Sequence, residues 1–286
     1  MAIVTKSATR AFVRSAKFPK APTRAKSRAF AAELPIQLKQ GDAQSLVVAG
    51  SLVIAGENVP VRTREDLVNC MLFAQLAASG EVEDPTMVNE WYAAYFRALT
   101  ALGWAQSGTE FRDYDFSAVN AEAHEAIIPV LTTILGAGAP ALAAVKVAID
   151  ALKTMEENAP WIKLFDQQSR TERSAHFQVA TAHVGDDGLL QTALVAFELK
   201  SRASLTQVLF FKFSSSSTKL RYSAGRATIY EAALNEQRDA ITKRLVDYRA
   251  AYVRQVKFPP LPASATTFRR ALTAAPRLAR RRLRVS

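Results

Sequence analysis

The residue types that most often carry chemistry are few in this chain and lie far apart. Its three histidines are His124, His176 and His183. The last two are seven positions apart in an alternating segment, so they point to opposite faces of a predicted strand. A zinc site needs three or four converging ligands, and the chain contains neither HExxH nor paired CxxC. We therefore predict no metal site, and ordinary surface or half-buried positions for the histidines.

Two carboxylates, Asp113 and Asp115, share one face of another predicted strand. They would serve as paired acids or metal ligands, or else as exposed strand carboxylates with no such role. The sequence has no Gly-x-Ser-x-Gly nucleophile elbow and no GxGxxG or GxxxxGK[ST] phosphate loop. We therefore expect that the protein is not an enzyme, and that it has no cofactor, with a bound fatty acid or lipid as the alternative.

Cys70 is the only cysteine, so the chain cannot form an internal disulfide. It falls in the middle of a predicted helix, whereas a reactive thiolate needs a helix N-terminus or a basic partner. Two interpretations remain open: a buried structural cysteine, or an acylated or reactive thiol that contacts lipid.

The net charge of +11 belongs to the two ends of the chain. Residues 1–30 contain eight Lys and Arg and residues 254–286 contain nine, with no acid in either segment, so the remainder carries about −6. Basic segments of this kind bind anionic lipid at roughly 1 kcal/mol per residue, or nucleic acid through counterion release. We predict anionic membrane lipid as partner, with nucleic acid as the alternative and tails without a dedicated partner as a third; no oligomeric state is predicted. The residues expected to bind an anionic surface are Lys17, Lys20, Arg24, Arg269, Arg270, Arg280, Arg281, Arg282 and Arg284.

A short phrase occurs near both ends, KFPKAP at 17–22 and KFPPLP at 257–262. Proline favours extended, polyproline-like backbone in both. Either the two phrases dock side by side with Phe as an anchor, or their likeness is chance. They delimit a basic flexible N-terminal extension (1–32), a single domain (33–256) and a basic Pro/Arg-rich tail (257–286).

The N-terminus lacks the apolar run of a secretory signal peptide. We expect a protein made in soluble form without such a signal; the sequence does not predict its final site, and release from the cell and association with a host membrane both stay open. The first thirty residues, rich in Arg, Ser and Ala, also fit a mitochondrial transit peptide.

Hydrophobic periodicity predicts the order of the elements. Residues 45–60 read as two short strands, and helices starting at Thr63 and after Asp84-Pro85 form a hairpin. A strand at 110–116 precedes a second helical hairpin, 121–135 with 141–155, which Pro160 closes. The alternating runs are 174–184, 189–200, Leu205–Phe213 as a central strand, and a short run near Leu220, before a helix at 229–253. The predicted fold is α+β, an antiparallel sheet layered between two helical hairpins plus a C-terminal helix.

The second hairpin contains a stretch, Ala126–Val145, of twenty residues without a charge. That length can span a bilayer core, but Pro129, Gly136, Gly138 and Pro140 interrupt it. It is either a buried core hairpin or a segment that inserts into lipid when released from the sheet. The candidate lipid contacts are Ile127, Ile128, Leu131, Ile134, Leu135, Leu142 and Cys70.

Over Ser45–Val256, two helical hairpins preceding a long antiparallel meander resemble the cytolytic delta-endotoxins of insecticidal bacteria and the related Erwinia virulence factor. The resemblance implies a soluble protein that binds lipid when its helical layers separate from the sheet. The virulence factor carries a fatty acid on a cysteine late in its chain, and Cys70 does not match that position. We expect a membrane- or lipid-interacting protein of the toxin or virulence-factor type; the alternative is a nucleic-acid-associated or scaffold protein that binds phosphate through its basic tails.

Overall fold

The computed structural model describes residues 5–21, 38, 41–115, 121–153, 160–184, 190–209, 212–213 and 218–255. The helices in this part of the chain are α1 (Lys6–Ser15), α2 (Val61–Glu81), α3 (Val88–Ala101), α4 (Ile127–Leu135), α5 (Pro140–Lys153), α6 (Pro160–Ser169), α7 (Glu231–Asn235) and α8 (Arg238–Tyr252). The strands are β1 (Gln44–Val48), β2 (Ser51–Ala55), β3 (Trp104–Gln106), β4 (Arg112–Tyr114), β5 (Ala121–Glu122), β6 (Ser174–Val184), β7 (Leu190–Ser201), β8 (Lys212–Phe213), β9 (Thr218–Ile229) and β10 (Val253–Gln255).

One eight-stranded sheet organises the fold. Its order is β10-β1-β2-β6-β7-β9-β3, and β4 also pairs with β9. The pair β2–β6 is parallel and the other pairs of this sheet are antiparallel. The three long strands β6, β7 and β9 form its middle, while β5 and β8 make a separate small ladder. The predicted α+β class is therefore confirmed.

Helices cover both faces of the sheet, because the side chains of each strand alternate between the faces. On one face, Gln178 of β6 donates to the hydroxyl of Tyr92 in α3, at 3.1 Å. On the other face, the ring of Phe177 lies 5.9 Å from that of Phe165 in α6. The first hairpin and α8 share the core of the first face, and α4 and α5 contact β2, β6, β7 and β9. This is the predicted layering, with the sheet between two hairpins.

Polar side chains fasten the first hairpin to the sheet. The Gln75 side chain of α2 accepts from the amide of Gly50 and donates to the carbonyl of Val48, both at 2.9 Å. The hydroxyl of Tyr92 in α3 donates to the carbonyl of Phe197 at 2.7 Å. Buried polar groups are stable only when they are hydrogen-bonded, so these bonds fix where α2 and α3 sit.

Helix α2 begins at Val61 after Pro60, two residues before the capping box that we predicted at Thr63. Thr63 lies buried inside the helix, and the Pro60 carbonyl accepts from the amide of Arg64 at 3.1 Å. The Arg64 side chain is 1% exposed and ties the preceding loop to the helix. Its guanidinium donates to oxygens of Asp42, Gln44, Gly56, Glu57 and Val59, at 2.7 to 3.0 Å.

Helix α3 also does not begin directly after Asp84-Pro85, where we predicted its start. It begins at Val88, and Asp84 instead closes the turn before it. The Asp84 carboxylate accepts from the amide and the hydroxyl of Thr86, at 2.8 and 2.7 Å. These hydrogen bonds lower the pKa of Asp84.

The prediction of a central strand at Leu205–Phe213 was wrong: within that range Lys212–Phe213 form β8 of the separate small ladder and not a strand of the eight-stranded sheet. Residues 205–209 form no strand, although Leu205, Val208 and Leu209 are buried. The amide of Val208 donates to the carboxylate of Asp166 in α6, at 3.0 Å, so this run packs near α6 outside the sheet.

The third long strand is β9, which pairs with β7 from Thr192↔Ala227 to Ser201↔Thr218. The alternation of apolar and polar residues in β9 is weak, because small and polar residues, including Gly225, occupy most of its positions. A Cβ at Gly225 would lie 1.3 Å from the carbonyl oxygen of Ser107, so this close contact requires glycine.

The sequence analysis missed several elements, among them α1, β3, α6 and β10. Pro160 opens α6 rather than closing the preceding segment, which suits proline at a first helical position. Beyond α8, β10 pairs with β1 in antiparallel register, from Val253↔Val48 to Gln255↔Leu46.

Residues 5–21, which we call the N-terminal strap, are packed on the domain. Val13 of α1 is completely buried, and the ring of Phe12 lies 5.8 Å from that of Phe73 in α2. This part of the predicted extension therefore contains a helix that packs on the domain. The expected boundaries at 32–33 and 256–257 and the tail at 257–286 lie outside the described residues.

Candidate functional site

The second hairpin, α4 with α5, contains most of the predicted lipid contacts. A 3₁₀ turn at Ala123–Ala126 leads into α4. The helix ends at Gly136, and Gly136 and Gly138 have φ values of +88° and +87°. These left-handed conformations favour glycine, and Pro140 then opens α5. The sequence GAGAP thus builds the turn at the tip of the hairpin.

The hairpin has an inner side on the sheet and an outer side that is partly open to solvent. Ile127 and Leu131 are completely buried on the inner side. The other predicted contacts in this hairpin, Ile128, Ile134, Leu135 and Leu142, are half-buried. Val147 of α5 is 47% exposed. The structure thus divides the predicted set into sheet-facing residues and an apolar outer rim.

Few polar bonds hold this hairpin to the sheet. Within the described part of α4 and α5, the hydroxyls of Thr132 and Thr133 donate to carbonyls of α4 itself, at 2.7 Å each. One bond crosses to the sheet, from Nε of Arg226 to the carbonyl of Ile134, at 3.4 Å. The inner side is otherwise apolar, with Val130, Val145 and other aliphatic side chains. The second hairpin is therefore attached mainly by apolar packing, unlike the first.

No helix in the described part of the chain combines the length and the hydropathy that crossing a bilayer requires.

Cys70 lies in the core of the first hairpin and not with the other predicted lipid contacts. It is 0% exposed. Burial raises the pKa of its thiol to about 12, so the thiol stays protonated at neutral pH. In this fold a lipid or an acylating reagent has no access to the sulfur.

The predicted anionic-surface residues are only partly within the described chain. Lys17 and Lys20 are exposed on the N-terminal strap. The others, Arg24, Arg269, Arg270, Arg280, Arg281, Arg282 and Arg284, lie outside the described residues.

The histidines do not form one group, but His124 and His183 are buried, and not at the surface or half-buried positions that we predicted. The His124 ring nitrogen Nδ1 lies 3.2 Å from the carbonyl of Leu209 and 3.1 Å from the Glu122 carboxylate. His176 packs against the ring of Trp91 with centroids 4.3 Å apart, and burial lowers its pKa to about 4. His183 is buried on the opposite face of β6. Within the residues described, no group of three or more His, Cys, Asp or Glu side chains could hold a metal ion.

Asp113 belongs to a row of charges across the sheet. It lies 3.6 Å from Nε of Arg221, which also donates to the buried carboxylate of Glu198 at 3.0 Å. Lys200 supplies a second cation to Glu198 at 2.7 Å. Asp115 is exposed. The pairing of Asp113 with Arg221 suits a compensated structural charge, since opposite charges on paired strands stabilise a sheet.

Sequence reasoning missed the groove that holds the strap. Three residues, Phe73 of α2 with Arg244 and Tyr248 of α8, surround Phe18, and we call this the Phe18 groove. Arg244 is a charged residue in the middle of a helix, a position that is usually solvated. Its guanidinium instead lies 4.1 Å from the ring centre of Phe18 and donates to the carbonyls of Val13 and Ala16, both at 2.6 Å. The sequence feature that indicates this groove is the KFPKAP phrase at 17–22, because one interpretation of that phrase uses its Phe as an anchor.

The chain was also compared with known proteins. No protein-family model matches it, and no curated protein matches its sequence. Among solved structures, one titled "DELTA-ENDOTOXIN" is similar with a TM-score of 0.40 and 12% identity, over 75% of this chain and 90% of that chain. Another, titled "Structure of the Evf virulence factor", has a TM-score of 0.36 and 8% identity, over 79% of this chain and 90% of that chain. The structure thus shows a weak similarity to one protein of each kind that the sequence resembles, a delta-endotoxin and a virulence factor.

Proposed function

We propose that this protein is a membrane- or lipid-interacting protein of the toxin or virulence-factor type, with α4 and α5 as the lipid-contacting layer. The observation that carries the proposal is the contrast between the two hairpins. The first is fastened by buried polar bonds, whereas the second is held by apolar packing and one long hydrogen bond from Arg226.

That contrast matters because the two hairpins would lose different amounts of stabilising free energy if they separated from the sheet. Burying a large aliphatic side chain contributes about 1.5–3 kcal/mol relative to water. Lipid tails are as apolar as leucine, so residues such as Leu131 and Val145 keep most of this gain when they move from the sheet to lipid. Each hydrogen bond lost from the first hairpin would instead cost about 1 kcal/mol or more.

The outer rim suits a first contact with the membrane. Val147 is 47% exposed, and Leu135 and Leu142 are half-buried near the tip. Helix α4 has nine residues and α5 has fourteen, which correspond to about 14 and 21 Å. We propose that they lie at the boundary between headgroups and acyl chains, in the manner of interfacial helices.

Exposed basic residues would raise the concentration of the protein at an anionic surface, but Lys17 and Lys20 lie with the strap on the α2–α8 side of the sheet, opposite α4 and α5, so they do not orient this layer. Lys17 and Lys20 project from the strap, and each contributes about 1 kcal/mol near anionic lipid. In this proposal the basic tail at 257–286 adds to the same attraction. Binding should therefore weaken as salt is raised.

Vesicle co-sedimentation and dye release test the proposal. Wild type is compared with Val147→Asp on α5 and with Val246→Asp on α8, because Val246 is the matched exposed valine at 64%. We expect Val147→Asp to weaken binding to phosphatidylglycerol vesicles by about tenfold, since a buried charge is costly at the lipid interface, and Val246→Asp to leave it unchanged.

Two other outcomes would contradict the proposal. Equal binding by both variants would refute the assignment of the α4–α5 layer. Salt-sensitive binding to duplex DNA, with no binding to any vesicle and no dye release, would support the nucleic-acid alternative instead.

A further inference from the structure

The outer side of the N-terminal strap is a basic surface. The exposed residues of α1 are cationic, polar or alanine, whereas Val13 is buried and the ring of Phe12 packs on α2. Three exposed cations follow one another at the end of the strap, Arg14, Lys17 and Lys20. The strap is therefore apolar toward the domain and positively charged toward solvent.

These three strap cations are not compensated by neighbouring acids. At the start of α1, Lys6 and Arg10 are paired with Glu236, at 2.6 and 3.7 Å. Within the described residues, no carboxylate forms an ion pair with any of the three strap cations. The beginning of the strap is thus neutralised, and its end keeps a positive charge.

The strap cations and the α4–α5 layer lie on opposite sides of the sheet. Phe12 and Phe18 attach the strap to the core of α2 and α8, whereas Ile127 and Leu131 of α4 are buried outside that core. At least the sheet and one helical layer, each about 10 Å deep, separate the two surfaces. Charges in solution are screened over about 8 Å at physiological salt, so a bilayer under α4 and α5 leaves the strap cations available to another surface.

We propose that the strap cations bind a second anionic bilayer, so that one molecule joins two membranes. This inference rests on the proposed function, which assigns the first bilayer to α4 and α5. The aromatic side chains of the strap pack on the domain, so Arg14, Lys17 and Lys20 meet lipid phosphates without insertion. Each such cation raises the affinity for an anionic surface about fivefold, and three together about a hundredfold.

Clustering of phosphatidylglycerol vesicles by the full-length protein tests the bridge. The strap variant contains Arg14→Gln, Lys17→Gln and Lys20→Gln. A control variant loses the same charge at three exposed cations outside the strap and the α4–α5 layer, through Arg112→Gln, Arg202→Gln and Lys219→Gln. Light scattering is compared at equal amounts of vesicle-bound protein, so that differences in binding do not enter.

We expect the strap variant to cluster vesicles at least about tenfold less than wild type, and the control variant to stay within about twofold. Equal losses in the two variants would show that net charge alone causes clustering and would overturn the proposal. A strap variant that clusters vesicles like wild type, but loses salt-sensitive binding to duplex DNA, would assign this surface to nucleic acid instead.

A second measurement locates the contact without changing any charge. Ala11→Cys, on the exposed side of α1, can be labelled selectively with a fluorophore because Cys70 is buried. In clustered vesicles we expect quenching by lipid spin-labelled at the headgroup, none by lipid labelled in the middle of the acyl chain, and loss of the quenching at high salt. An unquenched label at position 11 would refute the strap contact whatever a label on α5 reports, which separates this failure from failure of the proposed function.

Discussion

Replacing Gly80 with alanine tests how the N-terminal strap is held. Two effects of opposite sign act on this residue of α2. Alanine is about 1 kcal/mol better than glycine inside a helix. The new Cβ, however, would lie 2.2 Å from the carbonyl oxygen of Lys17 and 2.6 Å from its carbon. Because these are backbone atoms, the strap must shift, and overpacking of this kind costs about 1–3 kcal/mol.

We therefore expect Gly80→Ala to lower the free energy of unfolding by up to about 2 kcal/mol in the wild-type chain. In a Phe18→Ala background the strap has already lost its main anchor, and the same change should raise that free energy by about 1 kcal/mol. The difference between the two backgrounds corresponds to a coupling of about 1–3 kcal/mol between the two sites.

Urea unfolding, followed by far-ultraviolet circular dichroism and tryptophan fluorescence, gives these free energies. Ala93→Gly on the exposed face of α3 is the control for helix propensity, and should cost about 1 kcal/mol. If Gly80→Ala stabilises both backgrounds equally, the strap does not lie against α2 as described.

Three further predictions concern buried groups. Arg64→Met should lower the free energy of unfolding by about 3–5 kcal/mol in urea titrations, because it leaves the loop oxygens without donors; unchanged stability would contradict the role of Arg64 in that loop. The Cys70 thiol should not react with a disulfide reagent at neutral pH until urea unfolds the protein, since its pKa is about 12; prompt reaction of the folded protein would refute its burial. For His176, burial lowers the pKa from 6.5 to about 4, so between these values the unfolded chain binds more protons and stability falls as pH falls. Comparing urea midpoints of wild type and His176→Leu across that range isolates this loss, and identical pH profiles would count against it.

Much of the fold could be predicted because its signals are local. The helical spacing of Trp91, Tyr95 and Leu99 marks α3, and β-favouring runs on either side of the turn at 185–188 mark β6 and β7. The glycine and proline pattern at 136–140 marks the tip of the second hairpin. These features determined the α+β class and the presence of two hairpins.

The errors came from features that depend on distant contacts. Leu205–Phe213 is more apolar than β9, yet β9 lies beside β7 in the sheet. Burial of Leu205 and Val208 comes from contacts outside the sheet, such as those near α6. Periodicity reports that a residue is buried but does not identify what buries it.

The groove and the hairpin contrast were hidden for the same reason. Arg244 looks like a solvated helix residue because its acceptors, the carbonyls of Val13 and Ala16, lie more than two hundred positions away in sequence. Likewise, the apolar composition of the second hairpin is evident in the sequence. The scarcity of polar bonds between this hairpin and the sheet, among the described residues, is a property of the tertiary structure.

The central claim is that the α4–α5 layer contacts lipid. Because Cys70 is completely buried, single cysteines introduced by Val147→Cys and Val246→Cys can be labelled selectively with an environment-sensitive fluorophore. The decisive measurement is quenching of each label by spin-labelled phospholipid in anionic vesicles. We predict a blue shift and strong quenching at position 147 and neither at position 246. Equal quenching at both positions, or none at position 147 while the protein is vesicle-bound, would contradict the claim.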